Sequence, residues 1–318
     1  MVSELEIIRK LRTMFPSIGD DAVVLMEGRE RVNRNLSSGK LGTLIASVDT
    51  FVEGEHFDLA YFSPYDVGYK ALAASISDIA ACGGIPKYAL VSIGLKKGDI
   101  EFVDALYKGI KDVSEAYGVE VIGGDTTKSH TIFVSVAVTG ETNRFVGRNG
   151  ARVGNVICVT GELGGAPAGL IALKKGIKSS LTKFHLYPTP RVKEGIVLAK
   201  YATSMIDISD GLMIDLSHIL EESKVCAKLW CSKLPINKEA KRIAKKLSVP
   251  LWEVIVNGGE DFELLFTVPP RKIDRAKKEV RFTEVGEIVE SKCLNVGSKI
   301  IDEDGKEIPI TGFDHFNL

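Results

Sequence analysis

The sequence predicts two domains of mixed helix and strand, an α/β or α+β chain, on three observations. Its 318 residues exceed what one core ordinarily serves, and 45% hydrophobic with 26% charged residues is globular composition. Apolar residues recur at helical spacing in some stretches and as short β-branched runs in others, and the two kinds alternate. A turn-rich stretch near Asn149 to Asn155, where Gly150 and Gly154 flank polar residues, places a boundary between residues 1–148 and 149–318.

The elements follow in order. Met1 to Arg12 alternates charges with Leu and Ile as an amphipathic helix does. A loop with Gly19-Asp20-Asp21 leads into a short strand at Ala22 to Leu25, and the polar Glu27 to Lys40 reads as an exposed turn. Thr43 to Val48 is β-rich and ends in Asp49. Asp66 to Cys82 has helical spacing, carries Asp78 in its last turn and stops at Gly83-Gly84. Tyr88 to Leu95 reads as a strand, Ile100 to Tyr117 as a helix, and Val119 to Ile122 and Thr131 to Thr139 as strands. Beyond the boundary come a strand at Val156 to Thr160, helices at Ala166 to Lys175 and Arg191 to Tyr201, a strand into Asp207 and a helix from Gly211 to Glu222. Strands near Ala227 to Trp230 and Phe262 to Val268, helices at Lys238 to Lys246 and Arg271 to Val280, and C-terminal strands close the fold.

Charge and cysteine content narrow the function. A net charge of −1 offers no basic field for nucleic acid or an anionic membrane surface. The five cysteines (Cys82, Cys158, Cys226, Cys231 and Cys293) are odd in number and dispersed, which fits reduced thiols in the cytoplasm and no zinc site. The N-terminus lacks the apolar core of a signal peptide. The most apolar stretch, Ile132 to Val138, is far short of the roughly 20 residues that span a bilayer.

The informative residues are aspartates, expected at strand ends and in glycine-bearing turns: Asp20 and Asp21, Asp49, Asp78, Asp125 in Gly123-Gly124-Asp125-Thr126-Thr127, and Asp207 with Asp210 in Asp207-Ile208-Ser209-Asp210-Gly211. Any one of them is equally a turn former or a helix cap. If they converge, each close pair repels by about 4 kcal/mol at an effective dielectric of 20, unless a cation sits between them. Mg²⁺ suits such oxygen donors and is usually held by a few carboxylates with substrate phosphates. No competing His and Cys cluster supports zinc or iron. Familiar nucleotide signatures are missing, because Gly39-Lys40 is followed by Leu41 and lacks the upstream glycine of a phosphate-binding loop. Gly161-Glu162-Leu163-Gly164-Gly165-Ala166 is a weaker candidate, a helix start whose N–H groups would face a phosphate.

Taken together, the motifs resemble a known family. Gly19-Asp20-Asp21-Ala22, Asp49 with Glu53-Gly54-Glu55-His56-Phe57, Ser77-Asp78-Ile79-Ala80-Ala81-Cys82-Gly83-Gly84, Gly123-Gly124-Asp125, Asp207-Ile208-Ser209-Asp210-Gly211, Gly259-Glu260-Asp261-Phe262-Glu263-Leu264 and Gly312-Phe313-Asp314-His315-Phe316 occur in the order seen in the thiamine-monophosphate kinases, from about Ile18 to Phe316. The resemblance implies a two-domain aminoimidazole ribonucleotide synthetase-like fold. In it the N-terminal domain has a mixed sheet used for dimerisation, and the C-terminal domain is α/β. It implies a homodimer that uses ATP and several Mg²⁺ ions to phosphorylate thiamine monophosphate. Carried over by position, Asp21, Asp49, Asp78, Asp125, Asp207 and Asp210 are the expected Mg²⁺ ligands, with Asp49, Asp125 and Asp210 central to catalysis. Tyr107, Gly124, Asp125, Arg148 and Ser209 are expected to contact ATP, and His56, Glu260 and Phe313 thiamine monophosphate.

Three of these residues have a second reading: His56 as a structural histidine against Phe57, Arg148 as an exposed turn residue, and Phe313 as an aromatic closing the core. Val48 departs from the family, which often has a hydroxyl there. His130, His185 and His218 match no motif and read as surface or packing residues. Selenophosphate synthetase, the nearest rival, would need a reactive cysteine before Cys82. A hydrogenase-maturation relative would end in cysteine, whereas this chain ends Phe316-Asn317-Leu318. An aminoimidazole ribonucleotide synthetase, or a non-catalytic nucleotide-binding homologue, is a further alternative.

Overall fold

A computed structural model describes residues 4–14, 20–26, 42–252, 258–290 and 300–310. After helix α1 (Glu4–Met14) comes a sheet of β1 (Val23–Met26), β2 (Thr43–Val52), β3 (Ile85–Leu95), β4 (Glu120–Lys128) and β5 (Phe133–Thr142), ordered β1-β2-β5-β3-β4. Only β3 and β4 run parallel, so the sheet is mixed.

Helix α2 (Pro64–Ala81) starts where Pro64 follows a Ser63–Asp66 capping box, and nearly all of it is buried. Helix α3 (Ile100–Tyr117) is capped by Asp99 and ends at Gly118, whose φ of 67° suits glycine. The two cross at Gly68 and Gly109. A Cβ on Gly68 would lie 2.0 Å from the Leu106 carbonyl oxygen, and one on Gly109 would lie 2.1 Å from that of Tyr65. Alternate strand residues, among them Ile45, Phe51, Val91, Ile93, Val134, Val136 and Val138, pack with α2 into a core. The other face of the sheet exposes Val48, Tyr88 and Leu90.

A seven-stranded sheet follows, ordered β12-β11-β8-β10-β6-β9-β7. Its strands are β6 (Val156–Thr160), β7 (Ser204–Asp207), β8 (Cys226–Leu229), β9 (Leu264–Val268), β10 (Phe282–Val289), β11 (Ile300–Ile301) and β12 (Glu307–Ile308). Around it lie α4 (Gly165–Lys174), α5 (Thr182–Leu186), α6 (Val192–Leu198), α7 (Leu212–Ser223), α8 (Lys238–Leu247) and α9 (Ile273–Glu279). Residues on β6, β7 and β9 alternate between two cores, Ile157, Ile206 and Leu265 packing with α7 and Cys158, Met205 and Phe266 on the opposite side.

Two expectations about aspartates are corrected. Asp49 lies inside β2, not at its end, because Thr50, Phe51 and Val52 go on pairing with Ser135, Val134 and Phe133. Gly123-Gly124-Asp125 is strand, not turn: β4 pairs with β3 through Lys128 after a register shift between Ala89 and Leu90. Glycine is needed there because a Cβ on Gly124 would lie 1.7 Å from the Val91 carbonyl oxygen.

Candidate active site

Four elements deliver carboxylates to one place. The turn before β1 carries Asp21, β2 carries Asp49, the last turn of α2 carries Asp78, and β7 ends in Asp207. Carboxylate oxygens of Asp21, Asp78 and Asp207 lie within 4.8 Å of one another. Asp49 belongs to the same group, since its charge raises the pKa of both Asp78 and Asp207. Burial and the neighbouring Asp21 push Asp49 up to about 6, against a pull from the Ser75 hydroxyl. Burial, Asp49, Asp207 and Asp21 push Asp78 well above the usual carboxylate range, against a hydrogen bond from Ser47. Asp207 rises to about 8 through burial and Asp21, although Ser77 donates to it. Serine hydroxyls hold these acids across elements, Ser75 and Ser77 of α2 on Asp49 and Asp207 and Ser47 of β2 on Asp78, and Ser47 is a contributor that the motifs did not single out.

A second group adjoins the first. Asp210, Asp215 and His218 also bring ligand atoms within 4.8 Å of one another, and the Asp215 carboxyl feels Asp210, Asp207 and Asp21. Asp215 accepts the N–H groups of Asp210 at 3.2 Å and Gly211 at 3.1 Å, so it fixes the turn at the start of α7. Burial and three arginines lower the His218 pKa to about 3, which leaves a neutral imidazole beside the acids. Of its two readings, surface or packing, His218 takes the packing one: it is half-buried and not exposed.

Arg148 is not an exposed turn residue either. Its guanidinium donates to Asp21 and its backbone N–H donates to Asp20 at 2.8 Å. Burial disfavours its charge, but Asp21 outweighs that cost. One arginine cannot neutralise this many acids, and Asp21 Oδ2 is buried without a hydrogen-bond partner. An orphaned carboxylate oxygen facing other carboxylates fits a hard divalent cation with oxygen ligands.

Asp125 does not join this group. It stands in register with Ser92 on β3, and Ser92 pairs with Ser135, which pairs with Thr50 on β2. Three strand spacings of about 4.8 Å put it roughly 14 Å from Asp49 across the sheet. Gly124 precedes it on β4, and Tyr107 belongs to α3. Tyr107 lines a cleft of about 600 Å³ with Ile110, Gly118, Val119 and Val121, between α3 and β4. The expected ATP contacts therefore fall into two places, Tyr107, Gly124 and Asp125 at the β4 edge and Arg148 and Ser209 beside the acids.

Among the expected acceptor contacts, the His56 ring lies 5.4 Å from Phe51, and its Nδ1 accepts the Val52 N–H at 3.2 Å. Glu260 pairs with the buried Lys70 at 2.7 Å, and its N–H donates to the Ser209 carbonyl at 2.7 Å. Phe313 lies outside the described residues. The helix start at Gly164 is not open to a phosphate, because Asp261 accepts the N–H groups of Gly164 at 2.6 Å and Ala166 at 2.9 Å. Clustered carboxylates beside one arginine suit holding cations and phosphate groups.

Comparison with known proteins gives the family. Residues 19–142 match the family described as AIR synthase related protein, N-terminal domain. A thiamine-monophosphate kinase of Aquifex aeolicus is 38% identical over 280 residues, 86% of this chain and 88% of the relative. One from Bacillus subtilis is 35% identical over 291 residues, 86% of this chain and 88% of the relative. A solved structure described as AaThiL complexed with AMPPCP and TMP superposes with a TM-score of 0.86 at 35% identity, covering 99% of this chain and 97% of that one. The chain belongs to the thiamine-monophosphate kinase family.

Proposed function

We propose that this protein transfers the γ-phosphoryl group of ATP to thiamine monophosphate, giving thiamine diphosphate and ADP. The observation that carries this reading is the gathering of Asp21, Asp78 and Asp207, with Asp49 near enough to feel their charge and one Asp21 oxygen left unpartnered, in a chain whose relatives carry that activity in their names. Asp21, Asp49, Asp78 and Asp207, with Asp210 beside them, would hold Mg²⁺, which supplies neutralisation of phosphate charge. The acceptor phosphate has a second pKa near 6, so at pH 7 it is mostly a dianion and needs no general base. The remaining tasks fall to the protein. Arg148 balances part of the negative charge, Ser209 and Gly124 bring backbone to the phosphates, and Tyr107 with Val119 and Val121 offers a face for the adenine. Transfer is direct, without a phospho-enzyme. Label from γ-labelled ATP retained covalently on the protein during turnover would contradict this.

Homodimerisation completes the reading. The uncovered sheet face exposes Val48, Tyr88, Leu90 and Ile122, and Val48 is 64% exposed. Covering it with a second copy buries these side chains and brings the β4 edge of one copy towards the acids of the other, which lets Asp125 serve a site that its own subunit does not reach. The exposed Val48, where relatives often carry a hydroxyl, then acts through packing or its backbone carbonyl. We keep the division into residues 1–148 and 149–318, supported by the gap between β5 and β6. A cytoplasmic setting belongs to the same reading, and Cys82, Cys158 and Cys231 are free thiols in keeping with it. Among the described residues no helix is long and apolar enough to cross a membrane. A coupled ADP assay tests the activity: ADP release should require thiamine monophosphate and Mg²⁺ together, and release independent of thiamine monophosphate would remove the reading.

A further inference from the structure

Among the described residues, the most buried charge lies outside the acid cluster. Lys70, in the middle of α2, has no exposed surface, and its Nζ pairs with Glu260 Oε1 at 2.7 Å. His185 of α5 closes a triangle. Its Nε2 lies 3.4 Å from the Lys70 amine, and its Nδ1 lies 3.0 Å from Glu260 Oε2, off the angle of a well-formed hydrogen bond. Phe62 seals one side, with its ring 5.4 Å from the lysine nitrogen and 5.5 Å from the imidazole.

Burial alone would raise the Glu260 pKa, but Lys70 and then His185 outweigh it and hold the carboxyl near 2. Burial and Lys70 lower the pKa of His185, so at neutral pH the imidazole is uncharged and the triangle is one cation and one anion.

A purely structural ion pair would bury both partners on relaxed backbone. This one does not. Glu260 keeps 27% of its side chain exposed and sits at φ 67°, with Phe262 at φ 49°. Such backbone costs of order 1–3 kcal/mol per residue and persists where the surroundings fix it for a purpose. Here they fix it on both sides: the Glu260 N–H is bound to Ser209, and Asp261 is bound to the start of α4. Burial, then Asp58 and then Glu260, raise the pKa of Tyr61, a phenol near enough to feel the same carboxylate. Eight residues separate Lys70 from Asp78 on α2, about 12 Å of helix. A small molecule with a cation at one end and a phosphate at the other spans a distance of this order.

We propose that Lys70 and His185 are positioning residues that fix the direction of the Glu260 carboxylate, so that its exposed edge receives the permanently cationic thiazolium ring of the acceptor. This rests on the reading of thiamine monophosphate as the acceptor. It adds two residues, neither of which touches the substrate, whose removal selectively weakens recognition of the charged ring.

Calorimetry tests it, with thiamine monophosphate titrated into full-length protein loaded with Mg²⁺ and a non-hydrolysable ATP analogue. Lys70→Met and Glu260→Gln should each weaken binding about tenfold, and the double variant should bind no worse than Glu260→Gln alone. Lys70→Arg should recover part of the loss. Affinity for the ATP analogue should stay within about twofold, as expected for groups outside its contacts. The phosphate ester of the uncharged thiazole should bind wild type and Lys70→Met alike, which a general loss of structure would not allow. Should Lys70→Met fail to fold, His185→Gln carries the test, with an expected loss of about threefold. Wild-type affinity in a folded Lys70→Met or in His185→Gln overturns the inference. Wild-type protein that does not bind thiamine monophosphate overturns the functional reading as well.

Discussion

Asp49 and Asp207 titrate near 6 and 8 in the metal-free chain, and an unfolded aspartate near its ordinary value of about 3.9. The folded protein thus holds protons that the unfolded chain releases. The stability these groups give is fully present below their unfolded pKa and is lost as pH rises through 6 and then 8. On the proposed reading, Mg²⁺ would replace those protons when it binds. The rise in melting temperature on adding Mg²⁺ should accordingly be larger at pH 8.5 than at pH 7, a window above the ordinary histidine range, and an equal rise at both would speak against shared cations. Asp49→Asn should lower turnover by at least about 100-fold and leave the metal-free melting temperature unchanged or raised, if its charge is balanced by metal as proposed and not by the core. Near-normal activity would remove Asp49 from the site. Most of these acids were legible because each sits in a motif. Asp215 was not, since an acid one turn into a helix reads as a cap, and here it is both a cap and a member of the cluster. Lys70 was hidden for the opposite reason: a lysine within a helical pattern reads as solvent-facing, and only its partner 190 residues away makes burial tolerable.

At the scale of elements, periodicity located α2, α3, β3 and most of the second half, because long amphipathic runs announce themselves. It misplaced the neighbourhoods of Asp49 and Asp125. Strand continuation there depends on cross-strand partners such as Ser135 and Ser92, which no local pattern records. The crossing of α2 and α3 was equally silent, since glycine inside a helix looks like a defect until a neighbouring helix backbone is seen against it. Gly68→Ala should destabilise the protein by about 1–3 kcal/mol, because a Cβ 2.0 Å from a carbonyl oxygen forces the helices apart. Denaturant unfolding measures this. Since α2 carries both Lys70 and Asp78, activity should fall along with stability, and an unchanged midpoint would mean that the crossing is looser than it stands.

For the whole molecule, the sequence places all its predicted ligands in one list, while the fold sets Asp125 about 14 Å from Asp49 on the same sheet. The proposed dimer, with a site shared between two copies, would reconcile the two. Asp49→Asn and Asp125→Asn should each be inactive alone. Mixed and allowed to exchange subunits, they should regain about a quarter of wild-type activity, because half the dimers are mixed and each holds one intact site. No recovery despite exchange would confine each site to one chain. The most direct measurement of the central claim is phosphorus NMR of the protein with ATP, thiamine monophosphate and Mg²⁺. The diphosphate doublets of thiamine diphosphate should grow in step with ADP and stop on chelation of the metal, whereas ATP breakdown to free phosphate with thiamine monophosphate intact would contradict the account.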